Sequence, residues 1–419
     1  MFAKAVSLGV FVLAYTFFVI FPHRRSVPAV ICAGVLLACM VITPVQAFEA
    51  VNWNVMGIFF GMLVLAELLM KSNMPAVLAE ILVQKSRKAW VAMLWICVLS
   101  SAISIFAENV ATVLLIAPIA IETARKLKIS PVMLLIGVAI SSNLQGTATL
   151  IGDPPSMILA GYQKMTFNDF FVYQGKLSIF FFVEVGALAS LVVLYLFYRK
   201  NQQTIDVERH EELKSWVPSI FMVTLILALI FSSFIDKEFV WLAGTICMVW
   251  AAVAFVWYMV KHGEPKKLLS AFDWDTTFFL IGVFVLVETM TMVGWIDSIT
   301  EGIRAITGGS LAAKFFILVS LSVLVSAFVD NVPYLIAMIP VARSLGGDEY
   351  QVLLLFGLLI ASCIGGNITP IGASANIVTT GYLRRHGYPV KFGTFMKLGI
   401  PFTVAATAAA SLFLWLVWG

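Results

Sequence analysis

Runs of about 20 apolar residues, the length an α-helix needs to cross the hydrocarbon core of a bilayer, recur along the chain with short charged clusters between them. Ten of them lie near residues 4–21, 27–45, 53–70, 131–161, 175–198, 216–234, 238–260, 276–293, 350–383 and 397–418, and each predicts a spanning helix. Two further stretches, 90–124 and 311–344, are pairs of apolar arms meeting at a polar tip, Ala107-Glu108-Asn109 in one and Val329-Asp330-Asn331 in the other. A carboxylate and an amide held between apolar arms, with no loop residues to carry them to water, predict re-entrant hairpins that turn inside the membrane. The first run is followed at once by Arg24 and Arg25 and lacks a small-residue cleavage site, so it is expected to be a permanent span and not a signal peptide.

The pattern is written twice. At an offset of 221, Trp53, Gly61, Glu67 and Glu80 fall on Trp274, Gly282, Glu288 and Glu301. Glu108-Asn109-Val110 with Pro118 falls on Asp330-Asn331-Val332 with Pro340 at 222, and Gly146, Thr149, Gly152 and Gly161 fall on Gly366, Thr369, Gly372 and Gly381 at 220. Five full spans per half, an odd number, make the two copies inverted repeats. The predicted organisation is a first repeat at 1–198 (hairpin 90–124, broken helix 131–161), a cytoplasmic linker at 199–215, and a second repeat at 216–419 (hairpin 311–344, broken helix 350–383).

Composition narrows the function. With 61% hydrophobic and 12% charged residues, against roughly 45–50% and 25% in soluble domains, a soluble enzyme is excluded and a polytopic all-α membrane protein is indicated. The five cysteines fall in apolar runs without a Cys-x-x-Cys pair, so neither a disulfide framework nor a thiolate metal cage is expected. A net charge of +4 does not suit a nucleic-acid partner. If each hairpin returns to its own side, only seven of the 27 basic residues (Lys4, Lys164, Lys176, Lys237, Arg304, Lys314 and Arg343) lie opposite the rest. The crowded face, which includes Arg24 and Arg25, is then cytoplasmic and both termini are outside, in a multi-pass protein of the plasma (inner) membrane.

Candidate chemistry sits where helices break. Gly, Pro, Asn and Thr cluster inside two apolar runs, at 141–156 and at 365–376. Unwound backbone there frees carbonyls for a cation and exposes half-helix N-termini to an anion. Glu108, Asp153 and Asp330 lie at a tip or a break, with no Lys or Arg in the same segments to neutralise them, and intramembrane carboxylates are functional candidates. Glu67 and Glu288 lie outside the broken region and read as packing or domain-contact residues. His23, His210, His262 and His386 all fall in loops, which argues against a histidine proton relay. The chain has no Gly-x-x-x-x-Gly-Lys-Ser/Thr phosphate loop, so any ATPase would be a separate subunit. A channel is disfavoured by inverted repeats with broken helices.

Gly-Thr-Ala-Thr-Leu-Ile-Gly-Asp-Pro-Pro at 146–155 and Gly-Gly-Asn-Ile-Thr-Pro-Ile-Gly-Ala-Ser-Ala-Asn at 365–376 resemble the arsenite-pump and P-protein branch of the ion transporter superfamily, which also includes sodium/proton antiporters, citrate carriers and dicarboxylate transporters. The resemblance implies an elevator-type transporter in which hairpins and broken helices move against a scaffold, usually as a homodimer. The dicarboxylate branch carries Ser-Asn-Thr at each tip, whereas this chain has Glu108-Asn109-Val110 and Asp330-Asn331-Val332. Added negative charge there favours a neutral solute or a cation over a multiply charged carboxylate. The expected function is proton-coupled antiport exporting arsenite or antimonite without a resident cofactor. The candidate substrate residues are Asn109, Thr112, Asn143, Gly146, Thr147, Thr149, Asn331, Asn367, Thr369, Ser374 and Asn376, and Glu108, Asp153 and Asp330 are expected to carry the proton. The alternatives are sodium/proton antiport, with Na⁺ as the coupling ion, or a proton- or sodium-coupled carboxylate carrier.

Overall fold

The computed structural model describes residues 2–21, 24–204, 212–263 and 272–419. His23, Arg209, His210, Lys266 and Lys267 lie outside the described residues, so the readings placed on them stay with the sequence. The described chain is helical apart from a two-stranded hairpin, β1 (Val172–Tyr173) with β2 (Lys176–Leu177), antiparallel with Val172 opposite Leu177.

One order of elements occurs in both halves. The first half runs α1 (Phe2–Ile20), α2 (Ser26–Ala38), α3 (Pro44–Ala50), α4 (Trp53–Lys71), α5 (Met74–Lys85), α6 (Ala89–Ser104), α7 (Asn109–Lys126), α8 (Pro131–Gly146), α9 (Pro154–Gln163) and α10 (Ile179–Tyr198). The second runs α11 (Val217–Ile235), α12 (Leu242–His262), α13 (Trp274–Met292), α14 (Trp295–Thr307), α15 (Leu311–Ser326), α16 (Asn331–Gly365), α17 (Ser374–Arg385) and α18 (Phe392–Trp418). Local chemistry sets the boundaries. Asn52 caps α4 by accepting from Val55 N at 3.1 Å, and Pro131 and Pro154 open α8 and α9, where a missing N–H costs little. Asp236 accepts from the backbone N–H groups of Val240, Trp241 and Leu242 at 3.1, 3.1 and 2.9 Å, closing the turn that starts α12.

Seven helices among the described residues are long and apolar enough to span a membrane, against ten expected. Part of the difference is physical: α2 has 13 residues, and the run at 131–161 is divided between α8 and α9. The run at 350–383 begins just past a sharp break inside α16 at Gly347 (φ 59°, ψ −158°), which divides the arm of the second hairpin from the half-helix that follows. Glycine alone adopts that backbone state without strain. Three helices escaped the sequence reading, α3, α5 and the strongly amphipathic α14, which meets α15 at 119°. The run assigned to 175–198 starts later, at Ile179, because β2 occupies its first residues.

The helices gather into two bodies. In one, α2 lies on α13 and α12 on α4, flanked by α1 and α11. Close approach is allowed by small residues: a Cβ on Gly61 would stand 2.6 Å from the Cys247 carbonyl, and one on Gly282 would stand 2.7 Å from Ala29 Cβ. The other body holds the hairpins α6–α7 and α15–α16, the broken helices, and the crossing pair α10 and α18. Of the stretch 331–368, 89% of the most apolar window is buried, against 33% for α10, α11 and α12, so α16 is interior and those three face lipid.

Candidate functional site

Both hairpin tips and both breaks converge on one small cavity of about 30 Å³, lined by Glu108, Asn109, Asn143, Asp153, Asp330 and Asn331 together with Ser374, Arg25, Thr276 and Phe279. That volume holds roughly two water molecules. Glu108 and Asp330 occupy the N-cap positions of the second helix of each hairpin, where Asp330 accepts from Val332 N at 3.2 Å, and Asp153 and Ala373 stand at the N-caps of α9 and α17. Four helix N-termini therefore surround the cavity, and their unpaired N–H groups partly offset the carboxylates.

An asparagine chain ties the halves together. Asn109 Nδ2 donates to Asn143 Oδ1 at 2.9 Å and to Asp153 Oδ2 at 3.3 Å. Asn143 Nδ2 donates to Asn367 Oδ1 and to the Cys363 carbonyl, both at 2.9 Å, and Asn367 Nδ2 donates to the Ile140 carbonyl at 3.1 Å. All of these side chains are buried, and polar groups buried this deeply require such partners.

The other expected residues form a supporting layer. Thr149 donates to the Ile105 carbonyl at 2.5 Å, and its repeat mate Thr369 donates to the Ala327 carbonyl, so each break is stitched to the arm of its own hairpin. Asn376 Nδ2 reaches the carbonyls of Gly366 at 2.9 Å and Thr369 at 3.0 Å, closing the second unwound turn. Thr112 returns its hydroxyl to the Glu108 carbonyl at 3.0 Å, within its own helix. Gly146 lies against Gly152, where its carbonyl leaves no room for a side chain. Thr147 is buried, and its hydroxyl has no hydrogen-bond partner among the described residues.

One expectation is overturned. Arg25 reads as a loop charge on the cytoplasmic face, and Asp330 as a carboxylate without compensation, yet the two form an ion pair with side chains only 11% and 12% exposed. Arg25 Nη2 also donates to Ser374 Oγ at 2.7 Å, and the guanidinium lies 5.3 Å from the centre of the Phe279 ring. Asp275 at the start of α13 fixes the turn by accepting from the backbone N–H groups of Arg25 and Ser26, each at 3.2 Å. The neutralising cation comes from a segment 305 residues away, which a segment-by-segment reading cannot detect. The packing role read for Glu67 agrees with its pairing to Lys71 at 3.0 Å, outside the cavity. Glu288 lines a separate polar cleft with Asn52 and Tyr162.

This arrangement matches known transporters. The chain is 28% identical over 99% of its length to an uncharacterized transporter of Mycobacterium tuberculosis, covering 98% of that protein. It is 25% identical to the P protein of Sus scrofa over 98% of its own length and 59% of that protein. The YdaH transporter of Alcanivorax borkumensis, a solved structure, shares the fold with a TM-score of 0.62 at 14% identity, covering 91% of this chain and 88% of that one. The family model described as Citrate transporter matches residues 15–351 and 239–418. The protein is thus a membrane transporter and a member of the Citrate transporter family.

Proposed function

We propose that this transporter is a secondary antiporter that exchanges protons for a small inorganic solute, with arsenite or antimonite as the leading cargo. The observation that carries the reading is the charge of the cavity. Three carboxylates, Glu108, Asp153 and Asp330, face one guanidinium, Arg25, in about 30 Å³. A tricarboxylate such as citrate meets net repulsion from these carboxylates, whereas an uncharged trihydroxy metalloid can accept and donate hydrogen bonds to Asn109, Asn143 and Asn331. The carboxylates then carry the counter-moving proton. The body of hairpins and broken helices would slide as an elevator against the body of α1, α2, α4, α11, α12 and α13, in a homodimer of the plasma membrane with both termini outside. Transport driven by ATP would need a separate subunit.

A second reading, sodium/proton antiport, draws on a different feature. The carbonyl oxygens of Gly366, Ala327 and Ser326 lie 2.5, 2.8 and 2.9 Å from where a Cβ would stand on Gly372, and the Ser104 carbonyl lies 2.9 Å from the same position on Gly152. The breaks thus gather backbone carbonyl oxygens at close quarters, and carbonyl oxygens are the ligand type a hard cation takes.

Proteoliposomes with an imposed pH gradient separate the readings. A lumenal pH change evoked by arsenite or antimonite and abolished in Glu108→Gln or Asp330→Asn supports the first. A response to Na⁺ or Li⁺ alone supports the second, and a response to citrate alone refutes both.

A further inference from the structure

The two halves contact each other's bodies unequally. In the first half, the start of α4 abuts the far end of α9: a Cβ on Gly161 would stand 2.6 Å from Asn52 and from Val55. The repeat mates are Gly381, whose Cβ position has nothing within 4 Å, and Thr276 for Val55. Thr276 lies in the cavity beside Ala373 and Ser374, at the near end of α17. The second half is thus displaced relative to the first by the length of α17 between residues 374 and 381, about 10 Å at 1.5 Å per residue. Exchange of the two arrangements would carry Asp330 away from Arg25 by a similar distance.

Arg25 has no counterpart. Ala29 fills against Gly282 the place that Cys247 fills against Gly61, an offset of 218, which puts Ala243 in register with Arg25. The surrounding bonds follow the same register. Asn54 accepts from Gly244 N at 2.7 Å, as its mate Asp275 accepts from the N–H of Ser26. Two equivalent turns hold the two scaffold helices, and only one of them has an arginine at this position, the other having Ala243.

We propose that Arg25 is a one-sided, state-specific counter-ion. It neutralises Asp330 in the access state seen here, and it stays with the scaffold when the hairpin moves. In the opposite state Ala243 faces Glu108 and no fixed cation replaces it, so the carboxylates must take their positive charge from the coupling proton or the cargo. Arg25 is a positioning residue: it biases which side the cavity opens to. This inference rests on the sliding of the two bodies proposed above.

The test uses full-length protein in native membranes with only the exposed Cys39 replaced by serine, since the other four cysteines are buried. Thr276→Cys paired with Ala373→Cys reports the present state, and Thr276→Cys paired with Gly381→Cys reports the opposite one, each by oxidative cross-linking. In Arg25→Gln the ratio of the second cross-link to the first should rise about tenfold, within the usual range of coupling between sites. Asp330→Asn should reproduce that shift, the double variant should add nothing, and Arg25→Lys should stay near the unsubstituted ratio, with monodisperse elution confirming that each variant folds. An unchanged ratio in Arg25→Gln, with both pairs cross-linking, overturns the proposal. If Thr276→Cys with Gly381→Cys never cross-links in any variant, with or without a pH gradient, the sliding reading falls and this inference falls with it.

Discussion

Replacing Asn143 by alanine removes the middle member of the amide chain through which the halves of the protein touch. Three bonds disappear, to Asn109 Nδ2, Asn367 Oδ1 and the Cys363 carbonyl, each of 2.9 Å. Each is worth about 1 kcal/mol net, and a partner left buried without a bond adds about 1–3 kcal/mol. Two partner residues keep a second bond, since Asn109 still reaches Asp153 and Asn367 still donates to Ile140. The Oδ1 of Asn367 loses the partner described for it, so the expected loss is about 4–6 kcal/mol. Equilibrium unfolding of the purified protein by SDS titration, followed through tryptophan fluorescence, measures it. Asn367→Ala should cost a similar amount, and the double variant should fall short of the sum by about 1–3 kcal/mol, because the two substitutions remove the same bond. An Asn143→Ala protein within about 1 kcal/mol of the unsubstituted one, or a strictly additive pair, would refute the view that this chain of amides joins the halves.

Other predictions are smaller in scope. Gly61→Val should destabilise the scaffold by about 1–3 kcal/mol, visible as a lower melting temperature in detergent, because its Cβ would stand 2.6 Å from the Cys247 carbonyl. Lys71→Gln should change stability by less than about 1 kcal/mol in the same assay, since its pair with Glu67 is one third exposed on the lysine side. Asp236 gives a pH dependence: partial burial alone would raise its carboxyl, but the backbone N–H groups of Leu242, Val240 and Trp241 outweigh that and hold it below the usual aspartate range. The stability it contributes is complete above that range and is lost as pH falls through the depressed value, so melting curves of Asp236→Asn should lack an acid-side decline that the parent protein shows.

The candidate site was legible in the sequence where polarity violates an apolar run. Glu108, Asp153 and Asp330 stand out for that reason, and the repeat pairs Asn143 with Asn367 without any structure. Thr112, Thr147, Thr149, Thr369 and Asn376 were also found, but their composition could not separate cavity lining from the bracing of a break, since both tasks select small hydrogen-bonding side chains. Arg25 was illegible because an arginine just after a span has an ordinary topological explanation, and its partner is defined only by folding. Helix α14 was missed because a strongly amphipathic helix produces no long apolar window, and α3 and α5 because they are short, with 7 and 12 residues.

Gly347 sets how the second hairpin is anchored. A Cβ on Gly346 would stand 2.6 Å from the Gln351 backbone, so hairpin arm and half-helix fold back on each other across a single glycine. The Ser344 and Leu345 carbonyls exposed by that reversal accept from Arg304 Nη2 at 2.6 Å and Lys314 Nζ at 3.1 Å. The joint behind the Asp330 tip is therefore tied by two cations to α14 and α15, whereas the joint behind the Glu108 tip is the longer connector of residues 127–130.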